Sequence, residues 1–364
     1  MNRLTYLMGI AALLSGGTVS AQGIIDAYKY SQTELHGTAR YLSMGGAFGA
    51  VGGDISVLTA NPAGLGIYRS SEVATTMYVS SIKSGSNWNG SKIDASKTKF
   101  NFSNIAYVGY FPMGKDQGLV SWNVGFSYNR VKDFTRNYRL NGTQNTSLAD
   151  FAAFRATNTM YGGAIGIPEG NMPAFNAAGK DVHEVYDKLG SAGWLPGLAY
   201  QGGLIGADEI GGDVYHSAYA GMKDNGGWDA LSYPNETDLE VTERGAIDQY
   251  NFSIATTISN QFFIGATVGI EDLSYNMSSR HTEYFDYSDG TSDYLYWDND
   301  LDIDGKGYSV NVGAIFSPIN SLRLGIAYNS PTWYKMTDYY YGRAESYIGA
   351  YATAEKSECG IGSR

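Results

Sequence analysis

The sequence predicts an all-β fold in which an antiparallel β-barrel crosses a membrane with its strands. Three observations support this prediction. The composition is unusual for a soluble domain, because only 17% of the 364 residues are charged while the chain holds 47 Gly and 30 Tyr. Large apolar and small polar residues alternate with a period of two over stretches of about ten residues. The predicted connections between these stretches are alternately short and long, as in outer-membrane barrels.

The first 21 residues have the features of a cleaved export signal. Arg3 supplies a positive start, residues 4–14 are mostly apolar, and Val19-Ser20-Ala21 places small residues before a predicted cleavage site. An apolar run of this length is too short for a membrane helix, which needs about 20 residues. The alternative is an N-terminal helix buried in the folded protein. The single cysteine, Cys359, predicts neither a lipid anchor after the signal nor a disulfide framework.

Residues 71–364 are predicted to supply the barrel strands and their long extracellular loops. Alternating stretches begin near Leu119, Gln249, Phe262, Gly307 and Leu322, and two further strands are expected over residues 72–83 and 98–111. On each stretch the large apolar residues share one face, and the opposite face carries mainly Gly, Ser, Asn and Thr. A small polar face fits an enclosed lumen, although a soluble β-sandwich would also alternate.

The connections give the predicted topology. Short turns are expected near residues 112–118, 259–261 and 317–321, and long connections over residues 133–248 and 274–306. With the N-terminus in the periplasm, every short turn lies on the periplasmic side. The count reaches seven strands, and an odd number leaves an open edge. Residues 339–364 show no closing strand, so the sequence predicts a barrel that is incomplete towards its C-terminus.

Residues 22–70 do not alternate and are rich in glycine. Asp54 is predicted to cap a short helix over residues 55–60, which Pro62 would end. A dinucleotide-binding loop is the other interpretation of the glycines, but the G-x-G-x-x-G order is absent and no strand precedes them. A glycine-rich segment between an export signal and a first strand instead predicts a hatch, a plug folded into the lumen, where close backbone packing favours glycine.

Residues 37–69, GTARYLSMGGAFGAVGGDISVLTANPAGLGIYR, closely resemble the N-terminal hatch of the FadL/TodX family of outer-membrane channels, in the version common among Bacteroidetes. The triplet Asn61-Pro62-Ala63, preceded by Asp54 and the glycine-rich run, carries the resemblance. It implies a barrel of fourteen strands, of which about the first seven are present here. It also implies passive uptake of hydrophobic compounds, namely long-chain fatty acids or aromatic hydrocarbons, across the outer membrane of a Gram-negative bacterium.

In such a channel, the resemblance implies, ligand is captured among the outer loops, the hatch moves, and the ligand leaves sideways into the bilayer. The surroundings would be outer-membrane lipid and lipopolysaccharide. Gly125, in the middle of a predicted strand, is a candidate for the lateral opening, since glycine weakens a strand interior.

The long connection after residue 133 holds the candidates for ligand capture. They are apolar residues of two stretches: Phe151, Phe154, Trp194, Leu195, Leu198 and Tyr200. The two phenylalanines are three residues apart, so on a helix they share one face. The alternative is that these residues form a small core of the connection itself.

Residues 300–305 match the start of a calcium-binding EF-hand loop. Asp300, Asp302, Asp304 and Gly305 have the required spacing, but Asn311 stands where the loop needs a glutamate. A solvated acidic loop is the other interpretation, and we expect no metal.

No residues combine into a catalytic constellation. The histidines are scattered along the chain, at His36, His183, His216 and His281. We therefore expect a protein that is not an enzyme and carries no cofactor. A formal net charge of −11 also argues against nucleic acid as a partner.

Two alternative functions remain open. A similar barrel serves type IX secretion as a scaffold for exported proteins, which would co-purify with secreted cargo and hold no lipid. A haem receptor is the second alternative, and the scattered histidines fit it poorly.

Overall fold

The computed structural model describes residues 24–32, 34–174, 180–222, 228–230, 233–287, 290–319, 321–347 and 357–363. The chain divides into two compact units, residues 1–35 and residues 36–364. The described part of the first unit contains one helix, α1 (Ile24–Ser31). The predicted export signal, residues 1–21, lies outside the described residues.

The second unit is built around one antiparallel sheet, which confirms the predicted all-β class. The strands are β1 (Glu72–Trp88), β2 (Ser91–Pro112), β3 (Leu119–Asp133), β4 (Arg136–Gly142), β5 (Met160–Tyr161), β6 (Ala164–Ile165), β7 (Ile205–Ala207), β8 (Tyr215–Ser217), β9 (Ala220–Met222), β10 (Trp228–Ala230), β11 (Glu236–Ile258), β12 (Phe262–Asp286), β13 (Ser292–Ile319), β14 (Leu322–Asn329), β15 (Trp333–Tyr347) and β16 (Ser357–Ser363). The large sheet has the order β1-β2-β3-β11-β12-β13-β15-β16, with β4 paired to β11 and β14 paired to β13.

The helices are short and lie before or between the long strands. They are α2 (Ala39–Ser43), α3 (Val57–Ala60), a 3₁₀ helix (Pro62–Ile67), α4 (Leu148–Asn158), a second 3₁₀ helix (Glu169–Asn171) and α5 (Lys180–Gln201). Helix α4 starts with a capping box. The Ser147 side chain accepts a hydrogen bond from a backbone N–H of the first turn, and the Asp150 side chain accepts one from the backbone N–H of Ser147. Helix α5 is two helical stretches joined at Gly190, which has a φ of 65°.

No helix in the described part of the chain combines the length and the hydropathy of a membrane span.

The strands are much longer than the sequence patterns predicted. Residues 274–306 were expected to be a long connection, but β12 and β13 pair in register from Phe262–Phe316 to Asp286–Ser292. The prediction was wrong because beyond Glu271 the apolar residues lie on the opposite face of the strand. The period of two continues, but it no longer keeps the apolar residues on one face. Strands β1 and β2 are likewise joined by only Asn89 and Gly90, both with positive φ. Asn-Gly is the usual sequence of a two-residue hairpin turn, so this signal was available and was missed.

The C-terminal region also differs from its prediction. Residues 339–364 contain the end of β15 and the whole of β16, two strands that the count of seven did not include, and these pair over Tyr340–Ser363 to Ser346–Ser357. Tyr, Gly and Ser occur there in both phases of the alternation, so a period of two is not visible. Within the described residues, β16 pairs only with β15 and β1 only with β2, so these strands are the two edges of the sheet.

The sheet curls into a half-barrel whose inner face holds residues 36–70, here called the N-terminal segment. The segment bonds to strands that are far apart in the sheet. Asn123 Nδ2 of β3 donates to Leu65 O at 2.6 Å, and Asn61 Nδ2 donates to Ile326 O of β14 at 3.4 Å. Three strands, β11, β12 and β13, separate these two contacts, so the sheet must bend around the segment to make both.

The two ends of the half-barrel differ. One end, here called the turn end, carries the connections at residues 113–118 and 259–261 and the short one between Ile319 and Leu322. The opposite end, here called the loop end, carries a small α/β subdomain formed by the described residues between 143 and 235. Its buried core contains Leu198, Leu204, Tyr186 and alanines of α4, and it packs onto Phe285 and Trp297 of the strands.

Candidate functional site

The triplet Asn61-Pro62-Ala63 lies at the centre of the inner face. Asn61 is fully buried, and its side chain makes three hydrogen bonds. Its Nδ2 donates to Gly49 O at 2.6 Å and to Ile326 O at 3.4 Å, and its Oδ1 accepts from Ala63 N at 3.0 Å. The last bond caps the 3₁₀ helix, which Pro62 begins without needing a backbone donor. One side chain therefore joins the glycine-rich loop, the 3₁₀ helix and a strand.

Two glycines of the sheet form the seat for this triplet. Gly265 of β12 and Gly313 of β13 are direct cross-strand partners. A Cβ atom on Gly265 would overlap the backbone of Pro62, and one on Gly313 would overlap Asn61 Oδ1. Because any side chain at either position would displace the segment, the glycines are needed for this close approach. The sequence pattern alone does not predict this seat, since only the strand register brings the two glycines together.

Asp54 organises the N-terminal segment internally. Its Oδ1 accepts from Ser56 N at 2.9 Å, just before α3 begins, and its Oδ2 accepts from the Thr38 hydroxyl at 2.7 Å. The helix that Asp54 was predicted to cap is shorter than expected and has Ser56 at its N-cap. Asp54 therefore links the start of α2 to the start of α3.

Gly125 also serves close packing with the N-terminal segment. A Cβ there would lie 3.2 Å from Leu58 and 3.3 Å from Leu65. The strand ladder continues on both sides of it, to Val108 of β2 and to Ser253 of β11. The proposed lateral opening at Gly125 thus corresponds to an intact part of the sheet in this structure.

The predicted ligand-capture residues fall into two groups. Trp194, Leu195, Leu198 and Tyr200 of α5 belong to or pack against the core of the loop-end subdomain. Phe151 and Phe154 of α4 are instead 53% and 62% exposed. The first group therefore fits the alternative of a core for the connection itself, and only the two phenylalanines present apolar surface outward.

Tyr200 is held by a polar contact at the edge of this core. Its hydroxyl donates to Glu169 Oε1 at 2.7 Å, and the backbone N–H of Gly211 donates to Glu169 Oε2 at 2.6 Å. Partial burial and the bond to Glu169 raise the pKa of Tyr200 to about 12. The Gly211 N–H and the Tyr200 hydroxyl lower the pKa of Glu169. At neutral pH the contact therefore joins an ionised Glu169 carboxylate to a neutral Tyr200 hydroxyl.

A groove of about 470 Å³ runs along the exposed side of α4. Phe154 lines it together with Val214, Tyr215 and Tyr233, and Asp150 and His216 add polar groups. Phe151 does not line this groove. A cavity with an aromatic wall and a few polar groups is the usual form of a small-ligand site. Val214 and Tyr233 were not among the sequence-based candidates, because neither belongs to a recognisable pattern.

A second cavity, of about 320 Å³, lies at the turn end beside the N-terminal segment. Arg69, Lys115 and Arg323 contribute to its lining. Arg323 also donates to Val51 O of the N-terminal segment at 2.6 Å. The turn end of the half-barrel is therefore partly closed by the segment and carries positive charge.

The calcium-like motif does not form a loop. Asp300, Asp302 and Asp304 lie at alternate positions of β13 and point to its outer face, each opposite a residue of β12. Asp302 accepts from Asn276 at 2.5 Å. Within the described ranges, no group of three or more His, Cys, Asp or Glu residues is arranged to hold a metal ion.

The histidines stay apart in the structure. His36 contacts the ring of Tyr78, His216 Nδ1 lies 2.7 Å from Asp208, and His281 Nε2 lies 2.8 Å from Glu283. The side chain of His183 lies outside the described part. His281 and Ser147 do not form a catalytic pair, because Glu283, and not a histidine, is the central group between them.

Comparison with protein-family models, with curated proteins and with solved structures finds no match to this chain.

Proposed function

We propose that this chain forms the strands and the hatch of an outer-membrane channel that takes up hydrophobic compounds passively. The observation that carries the proposal is an inverted pattern of burial across the sheet. The polar residues Asn251, Ser253 and Thr267 are buried on the inner face, whereas Phe252 and Val268, their neighbours in sequence, are more than half exposed. Exposed apolar surface of this extent suits lipid contact and not water.

The exposed apolar residues form a continuous band, here called the apolar belt. It consists of the outward-facing residues Trp122, Phe126, Tyr250, Phe252, Ile254, Phe262, Ile264, Val268, Tyr308, Val310, Val312, Leu322, Leu324, Ile326 and Tyr328. On β12 the outward-facing apolar residues run from Phe262 to the half-buried Ile270, the cross-strand partner of Tyr308, about 27 Å along the strand at ~3.4 Å per residue. A tilt of about 40° reduces this to about 21 Å, close to the ~25 Å apolar band of outer-membrane barrels.

Aromatic residues concentrate at both margins of the belt. Towards the turn end, Phe111 stacks on Trp122 and Phe262 stacks on Phe316, each with ring centroids 4.4 Å apart. Towards the loop end, Tyr128 contacts Tyr250 across the strands at 5.6 Å. Aromatic girdles at the two interfaces are typical of such barrels. The positions of these rings thus support a membrane of normal thickness.

A row of charged residues borders the belt at its loop-end margin. Arg130, Asp248, Asp272, Lys306 and Lys335 are successive cross-strand partners. Arg130 bonds Asp248 at 2.9 Å, and Lys306 bonds Asp272 at 2.7 Å. Beyond this row the outer face is polar and the inner face is apolar, as in a sheet bathed by water. We interpret the row as the outer edge of the membrane.

The proposed path starts at the groove beside α4. An apolar compound held in the groove would lie at the loop end, the extracellular side in this proposal. The N-terminal segment fills the inner face below it, so passage requires the segment to shift as a hatch. Each CH₂ group that leaves water is worth about 0.8 kcal/mol, which drives capture without any energy source.

Equilibrium binding of radiolabelled dodecane to the purified chain in detergent tests this proposal, with protein-free micelles subtracted. Phe154→Ser should weaken binding about five- to tenfold, because it removes aromatic surface from the groove. Phe151→Ser is the matched control, since it changes an equally exposed phenylalanine of the same helix that does not line the groove. Equal loss in both variants would place capture elsewhere, and no binding by the unmodified chain would overturn the proposal. Co-purification of exported proteins would instead favour the secretion scaffold.

A further inference from the structure

A continuous row of hydrogen-bonded side chains crosses the inner face on the loop-end side of the N-terminal segment. It runs through Asn104, Asn129, Ser127, Asn251, Gln249 and Glu271 and is here called the amide row. Gln249 Nε2 donates to Glu271 Oε1 at 2.8 Å, and Asn251 Nδ2 donates to Gln249 Oε1 at 3.2 Å. Asn251 Nδ2 also lies 3.3 Å from Ser127 Oγ. These bonds join strands β3, β11 and β12.

The carboxylate at one end fixes the direction of the hydrogen bonds. Glu271 also accepts from the Thr332 hydroxyl at 3.3 Å and from the Tyr334 hydroxyl. An ionised carboxylate can only accept, so Gln249 must turn its NH₂ group towards Glu271. The Gln249 side-chain carbonyl then accepts from Asn251 Nδ2. As a result, the carbonyl oxygen of Asn251 has no hydrogen-bond donor among the described residues.

The other half of the row has the same direction. Asn129 Nδ2 donates to Ser127 Oγ at 2.9 Å, and Asn129 Oδ1 accepts from Asn104 Nδ2. The atom left over is again a carbonyl oxygen, Asn104 Oδ1. Both Asn104 and Asn251 are fully buried, and among the described residues neither Oδ1 atom has a hydrogen-bond partner. Buried acceptors without a donor are costly, so a donor that reached them would be bound.

Gly269 lets two unpartnered oxygen atoms approach the same point of β12. A Cβ atom on Gly269 would lie 3.1 Å from Asn251 Oδ1 and 2.6 Å from Ser309 Oγ. Ser309 Oγ is also buried and has no partner among the described residues. A side chain at residue 269 would therefore displace both oxygen atoms from their present positions.

We propose that the amide row selects hydrophobic compounds with an uncharged hydrogen-bond donor, such as long-chain alcohols and phenols, over carboxylates. This inference rests on the proposed function and narrows its substrate class. An alcohol donates to the free carbonyl oxygens of Asn104 or Asn251. A carboxylate ligand brings only acceptors, and its charge repels that of Glu271, so the site rejects it.

The test compares three labelled ligands of equal chain length: dodecane, 1-dodecanol and dodecanoate. Binding is measured with the purified full chain in detergent at pH 9, where dodecanoate is ionised. We expect 1-dodecanol to bind about tenfold more tightly than dodecanoate, the usual value of one hydrogen bond to a buried group. Glu271→Gln should bring this ratio towards one. A glutamine side chain both donates and accepts, so the amide groups of Gln249 and Asn251 are no longer held in a single orientation.

Asp272→Asn is the matched control. It removes the same charge from the next residue, which faces outward and pairs with Lys306, and it should leave the ratio unchanged. Gly269→Ala is a second variant that alters no charge; it should also abolish the preference, because the added methyl group displaces Ser309 Oγ and Asn251 Oδ1. A preference for dodecanoate, or a ratio that neither Glu271→Gln nor Gly269→Ala changes, overturns the inference. Dodecane binding without an alcohol preference overturns this inference alone, whereas no binding of any ligand overturns the proposed function as well.

Discussion

At the residue scale, Asn61 and the glycines beneath it decide where the N-terminal segment lies. Asn61 has no exposed surface and makes three hydrogen bonds to backbone groups, which a shorter or apolar side chain could not replace. Its Oδ1 lies where a side chain of Gly313 would be. The seat is therefore specific for glycine on the sheet and for asparagine on the segment.

Gly313→Ala should displace the N-terminal segment. The added methyl group overlaps Asn61, and relief of such overlap in a packed site costs about 1–3 kcal/mol. We expect faster trypsin cleavage at Arg40 and Arg69, the two arginines of the segment. Gly170→Ala is the control, since no atom lies within 4 Å of its Cβ position. Unchanged cleavage of Gly313→Ala would show that the segment is not held by this seat.

The motif around Asn61 could be recognised from the sequence, but its seat could not. Gly265 and Gly313 are 48 residues apart and look like any of the many glycines on the polar faces of the strands. Only the register of β12 against β13 makes them neighbours. In the same way, Phe151 and Phe154 were predicted as a pair, but only Phe154 lines the groove. This difference could not be predicted, because the opposite wall is formed by Val214 and Tyr233, which are distant in sequence.

At the scale of elements, Glu283 of β12 attaches helix α4 to the sheet. Its buried carboxylate accepts from Ser147 Oγ at 2.5 Å, from the backbone N–H of Leu148 at 2.8 Å and from Gln144 Nε2 at 2.9 Å. A negative charge at the first turn of α4 is also favourable for the helix dipole. The position of the groove relative to the strands thus depends on this carboxylate together with the apolar packing of the subdomain onto Phe285 and Trp297.

Glu283→Gln should loosen α4 from the sheet. Glutamine has one acceptor atom in place of two, and its NH₂ group would face donors, at a cost of about 1–3 kcal/mol. We expect faster hydrogen exchange of the Leu148 amide and of the first turn of α4. Glu240→Gln, at an exposed position of β11, provides a control with the same change of charge. Equal protection of Leu148 in both variants would contradict this role of Glu283.

The lengths of the strands show what a period of two can and cannot predict. Alternation identified the central part of β11, β12 and β13, where large apolar residues share a face. It failed beyond Asp272, because there the apolar residues, such as Leu273 and Tyr275, face inward. The period is unchanged but its phase is reversed, and a search for one apolar face stops at that point. The reversal itself is visible in the sequence and marks the charged row.

At the scale of the whole sheet, the polarity of the outer face changes at the row of Arg130, Asp248, Asp272 and Lys306. On the turn-end side of the row, apolar residues face outward and polar residues face the N-terminal segment. On the loop-end side, residues such as Arg280 and Asp298 face outward and form an ion pair at 2.7 Å. Under the proposed function, this change of polarity marks the boundary between lipid around the belt and water beyond the row.

Spin labels along the outer face of β12 test this central claim most directly. Single cysteines would be placed at residues 264, 268, 274 and 278 in a Cys359→Ser background, and the chain reconstituted in lipid vesicles. At residues 264 and 268 we expect access to oxygen and exclusion of a water-soluble nickel complex. At residues 274 and 278, beyond the charged row, we expect the reverse. Access of the nickel complex to all four positions would contradict the account, because the apolar belt would then face water.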